Sequence, residues 1–142
     1  MKNIHFVQAD LMADCSHLHN SCTSISSLHA IEHFGLGRYG DLVRPDGHLL
    51  GLDNIYRILR NEGKFYFSVP IGPQRVEFNA HRVFSLQYLL KIFDKKYDIE
   101  HFSYVDDRGD LCVDVKLDED AIRSNCGCPY GCGIFEMRRK TQ

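Results

Sequence analysis

Residues 64–70, Lys64-Phe65-Tyr66-Phe67-Ser68-Val69-Pro70, decide the fold. Three aromatics and a β-branched valine in six positions suit a pleated strand and little else. Pro70, Gly72 and Pro73 end it. Upstream, Leu49, Leu52, Ile55, Tyr56 and Leu59 recur at helical spacing, with Asp46 placed to cap the helix and Gly63 to close it. A helix feeding directly into a strand is half of an α/β unit. Further upstream, Thr23 to Leu28 suits a second strand, followed by a short helical turn from His29 to Phe34. Ile4 to Gln8 reads as a first strand ending near Asp10, with loop over residues 11–22.

Downstream, residues 71–84 form a long connection, and Ser85 caps a helix. Its apolar face is Leu86, Leu89, Leu90 and Phe93. Tyr97 to Val105 and Leu111 to Leu117 flank the turn-rich Asp106-Asp107-Arg108-Gly109-Asp110, which suits a hairpin. Cys132 to Met137 is a final strand. The expectation is an α/β sheet, mostly parallel, with antiparallel C-terminal strands.

The chain has 142 residues, 44% apolar and 25% charged, enough for one domain with a real core. Seventeen basic against nineteen acidic residues leave a net charge of −2 and no footprint for nucleic acid. No apolar run approaches the roughly 18 residues of a membrane span. The first ten residues lack a secretory h-region, so a cytoplasmic location with reduced thiols is expected.

Three motifs bear on chemistry. Gly35-Leu-Gly37-Arg-Tyr-Gly40 matches G-x-G-x-x-G. It does not turn directly from strand to helix, so a flexible glycine loop is the better reading than a dinucleotide site. His29 and His33 stand four apart with Glu32 beside the second, but the acid is misplaced for a zincin, and no metal site is assigned. What survives is an imidazole and a carboxylate just past a parallel strand's carboxyl end, where α/β sheets hold ligands. Cys126, Cys128 and Cys132 have C-x-C-x3-C spacing, which suits thiols in a turn better than a metal or redox centre.

In order and spacing these pieces resemble the second half of a class I S-adenosylmethionine-dependent methyltransferase. Val7-Gln-Ala-Asp10-Leu11 resembles the strand that ends in an acid near the cofactor's adenine. Ser26 to His33 resembles the strand and turn beside the methyl donor. Leu52 to Gly63 resembles the helix that ends in a glycine turn, and His81-Arg82-Val-Phe84-Ser85 the start of the following helix. The wording is most similar to a methyltransferase-like group of unknown function. The resemblance implies a partial Rossmann-like methyltransferase sheet in one domain, residues 1–142, with S-adenosylmethionine as cofactor. It implies Asp10, Leu11, Leu28 and His29 as cofactor-binding residues. Glu32, His33 and His81 would do acid–base work, and Arg75 and Arg82 would meet a small or glycan-linked substrate. The glycine-rich cofactor loop and the first two strands of that family have no counterpart here. A truncated domain is therefore expected, with an exposed sheet edge covered by self-association or a partner chain. The alternatives are a non-catalytic methyltransferase-like binding module and, behind it, a small metal-binding protein using the three clustered cysteines.

Overall fold

The computed structural model describes residues 3–141. Its main sheet has five strands: β1 (Cys22–Leu28), β2 (Leu59–Ile71), β5 (Tyr97–Val105), β6 (Leu111–Cys112) and β7 (Gly131–Arg139). They lie in the order β1-β2-β7-β5-β6. β1 and β2 pair in parallel, while β7 inserts antiparallel between β2 and β5. β1, β2 and β5 therefore run in one direction, and β7 and β6 run against them. The expected mixed α/β sheet is present, with β1 and β2 paired in parallel and the C-terminal strands paired antiparallel, β7 lying inside the sheet rather than at its edge. β3 (Arg75–Val76) and β4 (Arg82–Val83) make a separate small ribbon.

The helices are α1 (Gly47–Ile58), α2 (Leu86–Phe93) and the short α3 (Glu119–Ser124). β2 alternates so that Phe65, Phe67, Val69 and Ile71 all point inward and are fully buried. Phe135 and Met137 of β7 continue that face. Leu52 and Ile55 of α1 and Leu86, Leu89 and Phe93 of α2 close over it, all at most 2% exposed. Ser85 caps α2 as read, its hydroxyl accepting from the Tyr88 N–H at 3.2 Å. Among the described residues no helix is long and apolar enough to cross a membrane.

Four local readings are corrected. Residues 4–8 form no strand: Ile4, Phe6 and Val7 are 60–89% exposed, and no neighbouring strand supplies the ladder that extended backbone needs. Asp46 occupies the N-cap position without a capping bond, because its carboxylate accepts from the Arg44 guanidinium instead. α1 stops at Ile58, not at Gly63, since β2 begins at once with Leu59 and Glu62 takes the left-handed conformation. The strand expected over 111–117 ends at Cys112, where Asp114 turns to a positive φ of 49° and breaks the alternation. α3 was not foreseen; it is one and a half turns long, with too few residues to show a period.

Candidate functional site

The carboxyl ends of β1 and β2 bring the chemistry together. The backbone leaves β1 through His29, at φ +49°, with its N–H donating to Ser68 O of β2 at 2.9 Å. A short turn over Ile31–His33 follows. Ile31 is fully buried and drags Glu32 with it, so that this carboxylate is only 2% exposed. Its Oε1 lies 3.2 Å from His29 Nδ1 and 3.9 Å from His33 Nε2. Its Oε2 is buried with no hydrogen-bond partner. A buried acceptor left unpaired is uncommon in a folded protein and marks this carboxylate for explanation.

Around Glu32 stand three imidazoles. His33 Nδ1 donates to Ala80 O at 3.1 Å, which leaves Nε2 as the accepting nitrogen of the neutral ring. The His33 and His81 rings meet edge to face, with centroids 5.9 Å apart. His81 Nε2 lies 3.0 Å from the Tyr130 hydroxyl. Burial, and then the neighbouring His33, push the His81 imidazole below its ordinary value. His29 Nε2 lies 3.1 Å from Cys132 Sγ, a residue 103 positions away.

A cleft of about 520 Å³ opens beside this cluster. One wall is Asp10, Leu11 and Met12; the other is His29, Ala30, His33 and Phe34, with Tyr39 and Asp41 at the mouth. The first wall has no secondary structure of its own. It is held by Asn54 of α1, whose buried amide donates to Leu11 O at 2.9 Å and Ala13 O at 2.7 Å. The loop from Gly35 to Asp46 forms the mouth. Asp41 accepts from the Gly35 N–H at 2.9 Å and the Tyr39 N–H at 3.3 Å. Burial works to raise the Asp41 carboxyl, but backbone N–H groups, led by Gly37 and Tyr39, outweigh it and hold it below its usual range. Gly35, Gly37 and Gly40 all take positive φ, and α1 starts only at Gly47. They shape the mouth loop and do not present a helix N-terminus to a phosphate.

The residues singled out in the sequence thus divide. Glu32, His33, His81 and His29 converge, and Asp10 and Leu11 line the same cleft as His29 and His33. Leu28 ends β1 with its side chain 61% exposed, outside the cleft lining. Arg82 is 4% exposed and donates to Phe34 O and to Pro45 O, tying the two ends of the mouth loop. Arg75 does not line the cleft; it donates to Pro129 O at 3.1 Å, with its guanidinium 6.0 Å from the Tyr130 ring centre. Of the three clustered cysteines, Cys132 has moved off to His29 through its place on β7. Among the described residues no group of three or more His, Cys, Asp or Glu is gathered to hold a metal ion. Cys132 was read only as one of three clustered cysteines, not as a partner of His29, and Tyr130 and Asn54 were not foreseen as site residues. Only a polar Asn on the otherwise apolar face of α1 hinted at the last.

Comparison with solved structures places the fold. The chain is similar to the structure titled "Crystal Structure of the [4+2]-Cyclase SpnF", with TM-score 0.60 and 11% identity over 96% of this chain and 57% of that one. It is similar to "Crystal structure of MccD protein", with TM-score 0.57 and 12% identity over 94% of this chain and 66% of that one. The chain therefore spans less than two thirds of the length of either. A search of curated proteins found no match. The model of the family described as "Caenorhabditis protein of unknown function, DUF268" matches residues 1–130, and the chain belongs to that family.

Proposed function

We propose that the chain is the substrate-facing part of a methyltransferase-like enzyme that uses S-adenosylmethionine to methylate a hydroxyl of a small or sugar-linked acceptor. The observation that carries this is the cleft at the end of β1. Asp10 and the histidine turn, which the methyltransferase resemblance assigns to the adenine and donor ends of one cofactor, line this same cleft.

The lining fits the group. A volume of about 520 Å³ is in the range of small-molecule sites. The lining residues include Asp10 and Asp41 but no Lys or Arg, which suits a cationic sulfonium. Asp10 and Leu11 would hold the adenine end, and His29 and Ala30 the donor end. When bound, the sulfonium supplies an electrophilic methyl group. The chain's own part is alignment and proton removal. His33 Nε2 would take the proton of the acceptor hydroxyl, and Glu32, 3.9 Å away, would steady the resulting imidazolium. Further strands docked on the free edge of β1, from a partner chain or a second copy, would wall the cleft.

A binding-only role is the second reading. That same free β1 edge favours it, because it leaves the cleft open on one side. The [4+2]-cyclase named above makes the related point that one fold serves different chemistries. Calorimetry of the chain with S-adenosylmethionine and S-adenosylhomocysteine tests the proposal. The expected result is measurable heat and a thermal shift, both reduced in Asp10→Ala. No heat and no shift at millimolar ligand would overturn it, whereas binding without methylation of any hydroxylated acceptor would leave the binding-only role.

A further inference from the structure

Cys132 is absent from the chemistry above, and its surroundings are specific. Three groups stand in line. Cys132 Sγ is 3.1 Å from His29 Nε2, and His29 Nδ1 is 3.2 Å from Glu32 Oε1. A carboxylate accepts, so Nδ1 carries the ring proton and Nε2 is left to accept from the thiol. This is the order of a nucleophile, a base and a group that orients the base. The supporting details agree. Glu32 is buried and keeps Oε2 unpaired, and His29 leaves β1 at a positive φ of 49° that turns its ring toward both partners. The thiol is half-buried and faces a small cavity of about 160 Å³ lined by His29, Pro70, Val105 and Tyr130.

We propose that Cys132, His29 and Glu32 form a nucleophilic thiol site that accepts a short acyl group from an activated ester or thioester. The cavity has room for an acyl chain of a few carbons beside the thiol. Sγ bonds to the acyl carbon while its proton passes to His29 Nε2. Glu32 stabilises the imidazolium. The bond from acyl carbon to leaving oxygen or sulfur then breaks, and Nε2 returns the proton to that atom. The product is a thioester on Cys132, which water or a second nucleophile cleaves. Burial, then the Glu32 charge, raise the Cys132 thiol above its ordinary range. The resting group is therefore S–H, deprotonated by His29 as the attack occurs.

The histidine partner, not the thiol's own acidity, makes the assignment selective: among the described residues Cys132 alone has its sulfur within hydrogen-bond distance of an imidazole. Cys15, Cys126 and Cys128 are pushed up by burial as Cys132 is, the last two to about 11. Cys22 Sγ lies 3.6 Å from the Ser21 hydroxyl.

The site needs no S-adenosyl cofactor, so its test is separate from that of the proposed methyl transfer. The purified chain is mixed with p-nitrophenyl acetate, released nitrophenolate is followed, and the acetyl group is located by peptide mass mapping. A burst of one equivalent with acetyl on Cys132 is expected, and none in Cys132→Ala. His29→Asn, which tolerates the left-handed backbone, should slow acylation by roughly a hundredfold or more. Glu32→Gln should slow it less. If His29→Asn does not fold, the wild-type acylation rate must still fall on acidification, because a protonated imidazole cannot accept the thiol proton. Acetyl on Cys22 or lysines at rates equal to Cys132, or a His29→Asn rate unchanged in folded protein, would overturn the proposal.

Discussion

His48 Nε2 lies 2.7 Å from the Tyr88 hydroxyl, joining the first turn of α1 to α2 beneath the mouth loop. His48 is 6% exposed, and its other ring nitrogen is buried without a partner. Burial, and then the charge of Arg82, push this imidazole down to about 4. An unfolded histidine titrates near about 6.5. Between those values the unfolded chain binds a proton that the folded chain refuses. The stability due to neutral His48 is thus complete above about pH 6.5 and is lost as pH falls toward 4. The loss is on the order of 3 kcal/mol if the site keeps its shape. Urea unfolding at pH 7 and pH 4.5 measures it, and His48→Gln should flatten that slope. An equal slope in the variant would place the acid sensitivity elsewhere.

Asn54 reaches from α1 to two carbonyls of an otherwise irregular segment. Asn54→Ala leaves Leu11 O and Ala13 O without that donor and should cost roughly 1–3 kcal/mol. It should also loosen the Asp10 wall. Hydrogen exchange over residues 9–15 should rise while β2 stays protected. Uniform protection across the chain would mean that other contacts hold the wall.

Some of this arrangement is legible in the residues and some is not. Phe65, Phe67 and Val69 announce β2 because alternation and β-propensity act over a few residues. Ser85 announces α2 for the same local reason. The turn carrying Glu32 and His33 is legible as a site because it follows a strand end. The partner of His29 is not. Cys132 arrives beside it only because β7 inserts between β2 and β5 in a register that sets Cys132 opposite Pro70 and Val105. A one-residue slip would send the thiol to the other face, and nothing near Cys132 in sequence encodes that choice. Arg82 misleads for a related reason. An arginine in a loop reads as a substrate contact, and only the folded path of residues 34–45 reveals that it grips backbone.

Phe135 is the centre of the aromatic core. Its ring lies 4.8 Å from Phe102, 5.7 Å from Phe93 and 6.1 Å from Phe67, centre to centre. It is fully buried on the inward face of β7. Phe135→Ala should cost about 3–5 kcal/mol through lost burial and the cavity left behind. Since β7 also carries Cys132, the thiol should become more evenly reactive with the other cysteines. Denaturant unfolding gives the first quantity and competitive alkylation the second. A cost below 1 kcal/mol would mean that α2 collapses into the gap.

The glycines of the mouth loop separate space from conformation. Gly35 and Gly40 both take positive φ, +72° and +84°. A Cβ on Gly35 would stand 2.1 Å from Arg44 O, whereas a Cβ on Gly40 meets nothing within 4 Å. Gly40→Ala therefore carries only the conformational penalty, about 1 kcal/mol. Gly35→Ala carries that and a backbone clash, at the point where Arg44 N–H donates to Gly35 O at 2.9 Å and closes the loop. Its loop must open, and with it the Asp41 carboxylate that Gly35 N–H holds. The expected readout is a small, pocket-neutral loss of melting temperature for Gly40→Ala. For Gly35→Ala it is a larger loss, together with weaker S-adenosylmethionine binding. Equal effects of the two would mean that the close approach at Arg44 relaxes freely, and that the loop's shape rests on φ alone.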